Sequence, residues 1–478
     1  MNINEYEVVI GLEVHAELLT KTKIFCACKS EFGATPNTNI CPICMGMPGT
    51  LPKLNEKVVE YAVKAGLATN CTISKDSRND RKNYFYPDLP KAFQISQYDK
   101  PLCLNGYLEI GDNKKKIGIE RIHIEEDAGK LSHDEMDEGT LIDFNRAGVP
   151  LIEIVSKPDL RSADEVQEYL KKIKQTLEYV GVSDCKMQEG SLRADVNISV
   201  KKIGDTKLGT RAEIKNMNSF RSIKRAIEYE KLRQIKILEE GQKVMQDTLR
   251  WDDEQGITYA IRDKEDAKDY RFFREPDLGG INLSDEYIKS IKDNLPELPD
   301  KRQERYIMEY KLSDSEAKAM SSSIVVSDYF EKATKECNNP KAVCNWIISD
   351  ISRILNERGL EYKDIPFKAV YLAKLIAMID KGLISNSTAK TVLEELFERE
   401  VAPELIVKEK GLIQISDEDE IKKIVEDIIS KNKNSVSDYK NGKDRALGFL
   451  VGQAMKITKG KANPKMLNKI FLEELAKC

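Results

Sequence analysis

Four cysteines near the start of the chain have the spacing of a metal site. Cys26 and Cys28 are separated by one residue, Cys41 and Cys44 by two, and the loop that holds both pairs is rich in Gly, Pro and Asn. Structural zinc sites take four thiolates at tetrahedral geometry, usually supplied as close pairs. Four unrelated cysteines would have little packing reason to cluster in this way. We therefore expect a closed Zn²⁺ site of structural rather than catalytic type.

The other six cysteines do not form a comparable set. They are scattered and have no histidine near them in sequence: Cys71, Cys103, Cys185, Cys337, Cys344 and Cys478. None stands in a recognisable Cys/His nucleophile setting, and no Gly/Ser-rich amidase signature is present. We interpret them as packing or surface thiols of a cytoplasmic protein, because the sequence shows no secretion signal.

Four stretches alternate apolar and polar residues, as half-buried β-strands do. Each polar face combines acids with imidazole or cationic groups. In chain order the faces hold Glu13, His15 and Glu17; Arg121, His123 and Glu125; Arg193, Asp195, Asn197 and Ser199; and Arg211, Glu213 and Lys215. From the alternation alone, a solvated face of an antiparallel sheet explains the pattern as well as a chemical site does.

The chemistry that this mixture of side chains would suit is phosphoryl transfer. Carboxylate oxygens suit Mg²⁺, which accompanies nucleotide phosphates, and Arg and Lys neutralise those phosphates. Two of the chain's three histidines, His15 and His123, lie beside carboxylates on these faces. The sequence contains no P-loop, kinase Gly-rich loop or dinucleotide-binding Gly motif. If ATP is used, we expect an unfamiliar phosphate cradle.

The elements that would position these residues predict an α+β fold. From Glu7 to about Gly280, short β-type runs alternate with turns and amphipathic helices, which favours a body built on an antiparallel sheet. Three helices are predicted within this body, at about 55–69, 162–180 and 218–240. Ser162 and Glu165 have the spacing of a capping box at the second helix, and Gly241 is a predicted stop after the third.

Beyond this body the sequence predicts helices only. Pro296 and Pro299 mark the change from β-type to helix-period segments. Because 478 residues are too many for one hydrophobic core, we predict several domains. The predicted domains are an antiparallel-sheet body over 1–293 with the Cys₄ knuckle at 26–44, a helical domain over 294–405 and a helical tail domain over 406–478.

The charge of the chain is uneven. The net charge is −4, so any contact with nucleic acid must come from a local patch. Residues 431–461 supply such a patch, with eight Lys and Arg against Asp438 and Asp444. This patch suits RNA phosphates, although charged helix faces are usually only solvated. No apolar run of about 18 residues exists to span a bilayer, so no membrane contact is expected.

Six stretches of the body have distinctive sequence motifs. They are Ile10–His15, Asn83–Lys91 with Gln94–Gln97, His123–Lys130, Asp143–Glu153, Gln188–Asn197 and Glu213–Phe220. Together and in this order they resemble the B subunits of the aspartyl/glutamyl-tRNA amidotransferases. The likeness covers nearly the whole chain, including Leu295–Pro299 and Gly448–Pro464 in the helical part.

The resemblance implies a cradle-shaped body, a helical domain and a mobile tail domain that reads tRNA. It also implies a two-step activity. ATP phosphorylates the side-chain carboxylate of Glu-tRNA(Gln) or Asp-tRNA(Asn), and ammonia then displaces the phosphate to give the amide. The ammonia would come through a channel from an A subunit, with a small C subunit tying the two together. Because this chain lacks an amidase signature, it is not expected to release ammonia itself.

The resemblance and the strand faces together give a set of expected site residues. As Mg²⁺ ligands or near-ligands the resemblance implies Glu13, His15, Glu125 and Glu213, and it implies a catalytic role for Glu13, His15, Glu125 and Glu126. As substrate or phosphate partners we expect Lys130, Arg193, Asp195, Arg211, Lys215 and Tyr86. Tyr86 and its aromatic neighbours would stack on the terminal adenosine of tRNA, or else pack on the body. Instead of contacting phosphate, Lys130 would line the route of ammonia or be a solvated lysine in a loop.

Within the tail, the residues expected to contact tRNA are basic. They are Lys440, Lys443, Arg445, Lys456, Lys459 and Lys461. Two other functional classes compete with the enzyme-subunit interpretation. One is a non-catalytic scaffold that carries tRNA to catalytic partners, and the other is a stand-alone carboxylate–amine ligase. The long helical tail and its basic patch disfavour the second.

Overall fold

The structure is a computed structural model of the 478-residue chain. The residues it describes are 3–133, 139–261, 270–414, 418–440, 443, 445–458, 462 and 464–477. The chain separates into two compact units, Met1–Pro299 and Asp300–Cys478. None of the described helices combines the length and the apolar character that a bilayer crossing needs.

All described strands belong to the first unit. They are β1 Tyr6–Glu17, β2 Thr72–Ile73, β3 Asp76–Ser77, β4 Asp80–Asn83, β5 Phe93–Ser96, β6 Cys103–Ile110, β7 Lys115–Glu126, β8 Lys130–His133, β9 Thr140–Asp143, β10 Pro150–Ser156, β11 Leu192–Lys202, β12 Ala212–Lys215, β13 Thr248–Asp252, β14 Ile257–Ala260, β15 Phe273–Arg274 and β16 Ile281–Asn282. Nine of them form one sheet in the order β14-β13-β12-β11-β1-β10-β7-β6-β2. Its strand pairs are antiparallel except for β12 with β13, which run parallel. A separate small sheet has the order β15-β4-β5.

Helices cover the apolar face of the large sheet. The first unit contains α1 Glu56–Ala68, α2 Ala163–Tyr179, α3 Phe220–Glu239 and α4 Asp285–Asp293. On β1 the residues Val8, Ile10, Leu12 and Val14 are buried, and they share one hydrophobic core with apolar residues of α1, α2 and α3. The opposite face of the same strands therefore keeps its polar side chains away from the core.

The helix boundaries follow the predicted signals closely. The hydroxyl of Ser162 accepts a hydrogen bond from the Glu165 backbone N–H at 3.1 Å. The carboxylate of Glu165 accepts from the N–H of Arg161 rather than of Ser162, so only half of the predicted capping box forms. After α3, Gly241 adopts a left-handed φ of 72°, which confirms the predicted stop.

The second unit is helical throughout its described part. Its helices are α5 Pro299–Tyr310, α6 Asp314–Met320, α7 Ile324–Cys337, α8 Pro340–Trp346, α9 Ser352–Arg358, α10 Ala369–Asp380, α11 Asn386–Glu398, α12 Pro403–Glu409, α13 Glu418–Lys431, α14 Lys433–Lys440, α15 Arg445–Ile457 and α16 Pro464–Lys477. One hydrophobic cluster runs from Tyr306 to Val407 and a second from Ile421 to Leu475. The α+β fold class is thus confirmed, while the boundaries predicted at 293 and 405 stay predictions.

Candidate metal and phosphate site

The register of the large sheet aligns its polar side chains in rows. His15 on β1 stands opposite Arg193 on β11 and opposite Glu153 on β10. Glu153 in turn stands opposite His123 on β7. Antiparallel partners on one face lie close enough for their side chains to touch, so this register makes a continuous polar row across four strands. The faces predicted separately from the sequence belong to one surface.

Three side chains on this face of the sheet can hold one metal ion. Ligand atoms of His123, Glu125 and Glu153 all lie within 4.8 Å of one another, and all three residues are buried. The His123 Nε2 atom is 3.3 Å from Glu153 Oε2 and 3.7 Å from Glu125 Oε2. His15 reaches the same Glu153 oxygen, with its Nε2 at 3.4 Å. Glu153 is therefore the central carboxylate, between two imidazoles.

The charges in this group are balanced by neighbouring cations. Burial disfavours the imidazolium of His123, but Glu153 and Glu125 overcome this and raise its pKa to about 9. Burial likewise opposes the Glu125 anion, but Lys82 and His123 lower the pKa of Glu125 to about 2. Lys82 Nζ lies 3.5 Å from Glu125 Oε1. The site is therefore built to keep carboxylates charged although they are buried.

The donor set suits a divalent cation. Buried charges in proteins are paired or coordinate metals. Here two carboxylates and an imidazole converge, and within the described part of the chain no fourth side chain completes the group. The Nδ1 atom of His123 is buried and has no hydrogen-bond partner among the described residues. Ser96 orients Glu125 by donating a hydrogen bond of 2.8 Å to Oε2. These residues fit a cation that keeps open positions for a further ligand.

A second polar group lies toward β12. The Asn197 amide donates to Glu13 Oε1 at 2.9 Å, and Lys215 Nζ lies 3.0 Å from both Asp195 Oδ2 and Glu213 Oε1. Burial, together with the carboxylate of Glu153, raises the pKa of Glu13. Of the four predicted Mg²⁺ ligands, only Glu125 belongs to the group within 4.8 Å. His15 contacts Glu153 of that group, while Glu13 and Glu213 belong to the second polar group.

Arg193, a predicted phosphate partner, lies in a third group. Its NH2 atom is 2.6 Å from Asp127 Oδ2, and Arg146 Nε is 3.5 Å from the same oxygen. Glu17 shares a hydrogen bond with Asp127, and burial with the Asp127 charge raises the pKa of Glu17 to about 8. Arg193 is thus already held by a carboxylate, in register with His15.

Other predicted residues lie away from this row. The carboxylate of Glu126 accepts hydrogen bonds from Lys91 and from the Ile95 N–H, so it points away from Glu125. Lys130 is exposed at the start of β8, and Arg211 is exposed just before β12. Tyr86 is 49% exposed, whereas Tyr84 is partly buried with its hydroxyl on Gln94.

The predicted tail residues are described only in part. Lys443 Nζ lies 2.8 Å from Asp438 Oδ1, and Arg445 and Lys456 are exposed. Lys440 closes α14, but its side chain lies outside the described residues, as do Lys459 and Lys461 altogether.

The four clustered cysteines converge as predicted. The sulfur atoms of Cys26, Cys28, Cys41 and Cys44 lie within 4.8 Å of one another. A hydrogen bond from the Cys26 thiol, with the ammonium of Lys23 nearby, lowers the pKa of Cys44 to about 5. Lys23 is fully buried, with Nζ 3.8 Å from Cys44 Sγ. This cluster has the ligand set of a structural Zn²⁺ site.

Sequence reasoning missed the centre of the site. It did not select Glu153 or Lys82, although both had a signal in the sequence. Glu153 is the one acid in the apolar stretch Leu151–Val155, and Lys82 precedes the aromatic stretch that starts at Tyr84. A lone acid among β-branched and aliphatic residues is a signal of a buried charge that needs a partner. The partner strands could not be identified without the register.

The fold and the site define a class of protein: a sheet-borne carboxylate–imidazole site with a Cys₄ knuckle, followed by an all-helical unit. Comparisons with known proteins specify the class further. The family model described as "GatB/GatE catalytic domain" matches residues 8–289, and the one described as "GatB domain" matches residues 328–475.

Full-length relatives agree with the family models. A protein of Thermoanaerobacter pseudethanolicus is 59% identical over 475 residues, which are 99% of this chain and 100% of the relative. One of Caldicellulosiruptor saccharolyticus is 60% identical over 478 residues, with the same coverage, and one of Clostridium tetani is 54% identical over 476 residues, 99% of each chain. All three are named as the B subunit of aspartyl/glutamyl-tRNA(Asn/Gln) amidotransferase. The chain belongs to this family.

Family membership confirms the function predicted from the resemblance. The chain is a subunit of a multi-subunit, tRNA-dependent amidotransferase, an enzyme of ligase type in protein biosynthesis. The match to a catalytic domain favours the enzyme-subunit interpretation over the scaffold.

Proposed function

We propose that the polar face of the large sheet binds ATP with Mg²⁺ and phosphorylates the side-chain carboxylate of Glu-tRNA(Gln) or Asp-tRNA(Asn). The observation that carries the proposal is the buried group of His123, Glu125 and Glu153, flanked by Lys82. A structural ion pair needs only one acidic and one basic side chain. A site that binds and releases a cation together with nucleotide phosphates needs several ligand-type side chains around one point, as are found here.

The chemistry requires an activated carboxylate. A carboxylate resists attack by ammonia because it offers no leaving group. Transfer of the γ-phosphoryl group of ATP to a carboxylate oxygen releases ADP and leaves an acyl phosphate. Ammonia then attacks the carbonyl carbon, the carbon–oxygen bond to phosphate breaks, and the products are the amide and inorganic phosphate.

The residues divide this work by their charge. Glu125 and Glu153, with Glu13, His15 and His123 around them, would hold the cation, which when bound neutralises charge on the transferring phosphoryl group. Burial opposes the ammonium of Lys82, but the carboxylates of Glu125 and Glu153 raise its pKa, so it stays cationic. Lys82 would turn from Glu125 toward phosphate oxygens once a cation takes that carboxylate. Lys215, beside Asp195 and Glu213, would supply a second cation for the phosphates.

Ammonia would come from partner subunits. Among the described residues outside the Cys₄ knuckle, burial raises the pKa of each cysteine: to about 12 for Cys185 and Cys344, well above the ordinary value for Cys103, and upward for Cys71 and Cys337. Such thiols are poor nucleophiles. We therefore assign glutamine hydrolysis to an A subunit, joined to this chain by a C subunit, in the cytoplasm where aminoacyl-tRNA is used.

The test is ATP hydrolysis by the complex reconstituted with A and C subunits and misacylated Glu-tRNA. We expect Glu125→Gln to lose tRNA-dependent phosphate release by about 10²–10³-fold, as when one transition-state partner is removed. The matched control is Glu120→Gln on the same strand, whose side chain is 57% exposed and contacts Arg121. Unchanged phosphate release in Glu125→Gln, with tRNA binding intact, would move catalysis to another chain.

We also propose that the basic tail binds tRNA through phosphate contacts. Exposed Arg445 and Lys456 offer cations on α15. Replacing either by Gln should weaken tRNA binding and make the slope of log affinity against log salt shallower by roughly 0.7–0.9 for each phosphate that is no longer neutralised. Lys477→Gln is the control, because Lys477 lies outside residues 431–461 and its Nζ pairs with Glu474 Oε1 at 2.7 Å. Equal slopes in all three variants would contradict the proposal.

A further inference from the structure

A row of aromatic rings leads away from the proposed metal site. The rings of Tyr84 and Tyr270 meet edge to face with centroids 5.7 Å apart, and Tyr270 meets Phe272 in the same way at 5.8 Å. Phe272 and Tyr98 are stacked, with centroids 4.3 Å apart and planes inclined by 8°. Neither the strand faces nor the phosphate residues account for this row.

The row is connected to Glu125 at two places. Lys82 Nζ lies 3.5 Å from Glu125 and 5.2 Å from the ring centroid of Tyr270. Ser96, which donates a hydrogen bond to Glu125, precedes Tyr98 by two residues, a chain span of at most roughly 7 Å. The outer end of the row is therefore within the reach of a single nucleotide whose phosphate or ester lies at Glu125.

The outer ring is open to solvent although its backbone is firmly held. Tyr98 is 60% exposed, while its N–H and that of Asp99 both donate to Asp80 Oδ2, at 2.9 and 3.0 Å. Asp80 is buried, and its Oδ1 pairs with Arg78 Nε at 3.3 Å. One face of Tyr98 is covered by Phe272, so the exposed part includes a preformed planar surface. Exposed aromatic surface beside a polar site is typical of ligand binding.

We propose that Tyr98, backed by Phe272, is a stacking platform for an adenine ring. This inference rests on the proposed function, because in both of its substrates an adenine belongs to the same nucleotide as the reacting group: the γ-phosphoryl group in ATP, and the aminoacyl ester of the terminal adenosine in tRNA. A parallel ring pair gives a flat apolar surface that a purine face covers well, whereas Lys82 at the inner end of the row suits the phosphate or ribose side of the same nucleotide.

The test is equilibrium binding to the complex with A and C subunits, with ATP and misacylated tRNA measured separately. Tyr98→Leu removes the π face, and Tyr98→Phe keeps it. We expect Tyr98→Leu to raise one of the two dissociation constants by on the order of 10-fold or more, and Tyr98→Phe to leave both unchanged. The ligand that is weakened identifies the source of the adenine. The matched control is Tyr259→Leu on β14, a tyrosine that is 44% exposed.

Two outcomes would overturn the inference. Either both dissociation constants are unchanged in Tyr98→Leu, or Tyr98→Phe weakens binding as much as Tyr98→Leu does. Because binding is measured without turnover, this failure is distinct from failure of the proposed function. That function fails when Glu125→Gln leaves tRNA-dependent phosphate release unchanged.

Discussion

The first unit contains two groups of metal-ligating side chains that are built in opposite ways. The Cys26–Cys44 knuckle offers four soft thiols from one loop, and its lysine, Lys23, is fully buried against it. The group around Glu153 offers hard oxygens and imidazoles from separate strands, and the cations beside it contact its carboxylates directly. A closed thiolate set favours permanent occupation. An open set balanced by Lys and His favours exchange, because the balancing charges can take over when the ion leaves.

The difference in exchange gives the largest expected effect. Prolonged chelation should remove zinc from the knuckle and open residues 21–50 to proteases, because structural zinc contributes on the order of 10–16 kcal/mol to its small domains. Adding Mg²⁺ afterwards should restore any ion lost from the sheet site but not the protease resistance. The measurement is limited proteolysis together with zinc content.

Two variants sharpen this test. Cys28→Ser should lose zinc and protease resistance without any chelator, whereas Cys337→Ser, in the second unit, should keep both. Unchanged resistance of residues 21–50 in a fully zinc-free protein would contradict a structural role and remove the contrast between the two groups.

Removing the central carboxylate of the sheet site should have the next largest effect. Glu153→Gln removes the negative charge of the carboxylate that both His15 and His123 contact. We expect tRNA-dependent phosphate release to fall by about 10²–10³-fold. The zinc content should stay at the wild-type value, because the knuckle shares no ligand with this site. Loss of zinc together with activity would show instead that the two groups form one folding unit.

The two groups also differ in how far the sequence could predict them. The knuckle was predictable residue by residue because all four ligands lie within one loop, and their spacing alone limits what they can do. The sheet site depends on which strands are neighbours. The alternation of Glu13 and His15 on β1 showed a polar face, but only the register with β10 places Glu153 between the histidines.

Side-chain direction set a second limit. Glu125 and Glu126 are adjacent in sequence, and the resemblance implied a catalytic role for both. In a strand, successive side chains point to opposite faces, so Glu126 turns to Lys91 while Glu125 turns to His123. Arg211 was predicted within a strand, but β12 begins one residue later and leaves it exposed. Its role as a phosphate partner stays a prediction.

The smallest expected effect concerns the contact between the knuckle and Lys91, which pairs with Glu126 on the strand that carries Glu125. Gly46 of the knuckle has a left-handed φ of 65°, and a Cβ there would lie 2.5 Å from Lys91 Cγ. Gly49 has a φ of 86° with nothing within 4 Å of such a Cβ. Both alanine variants carry the backbone cost, about 1–2 kcal/mol, but only Gly46→Ala also displaces Lys91.

We therefore expect the melting temperature of the zinc-loaded protein to fall by roughly 2–4 °C per kcal/mol, and further for Gly46→Ala than for Gly49→Ala. Because Lys91 pairs with Glu126, the neighbour of Glu125, Gly46→Ala should also slow tRNA-dependent phosphate release while Gly49→Ala should not. Equal melting temperatures and equal rates in the two variants would mean that the contact with Lys91 affects neither the stability of the protein nor the activity of the sheet site. The knuckle would then stabilise its own loop alone.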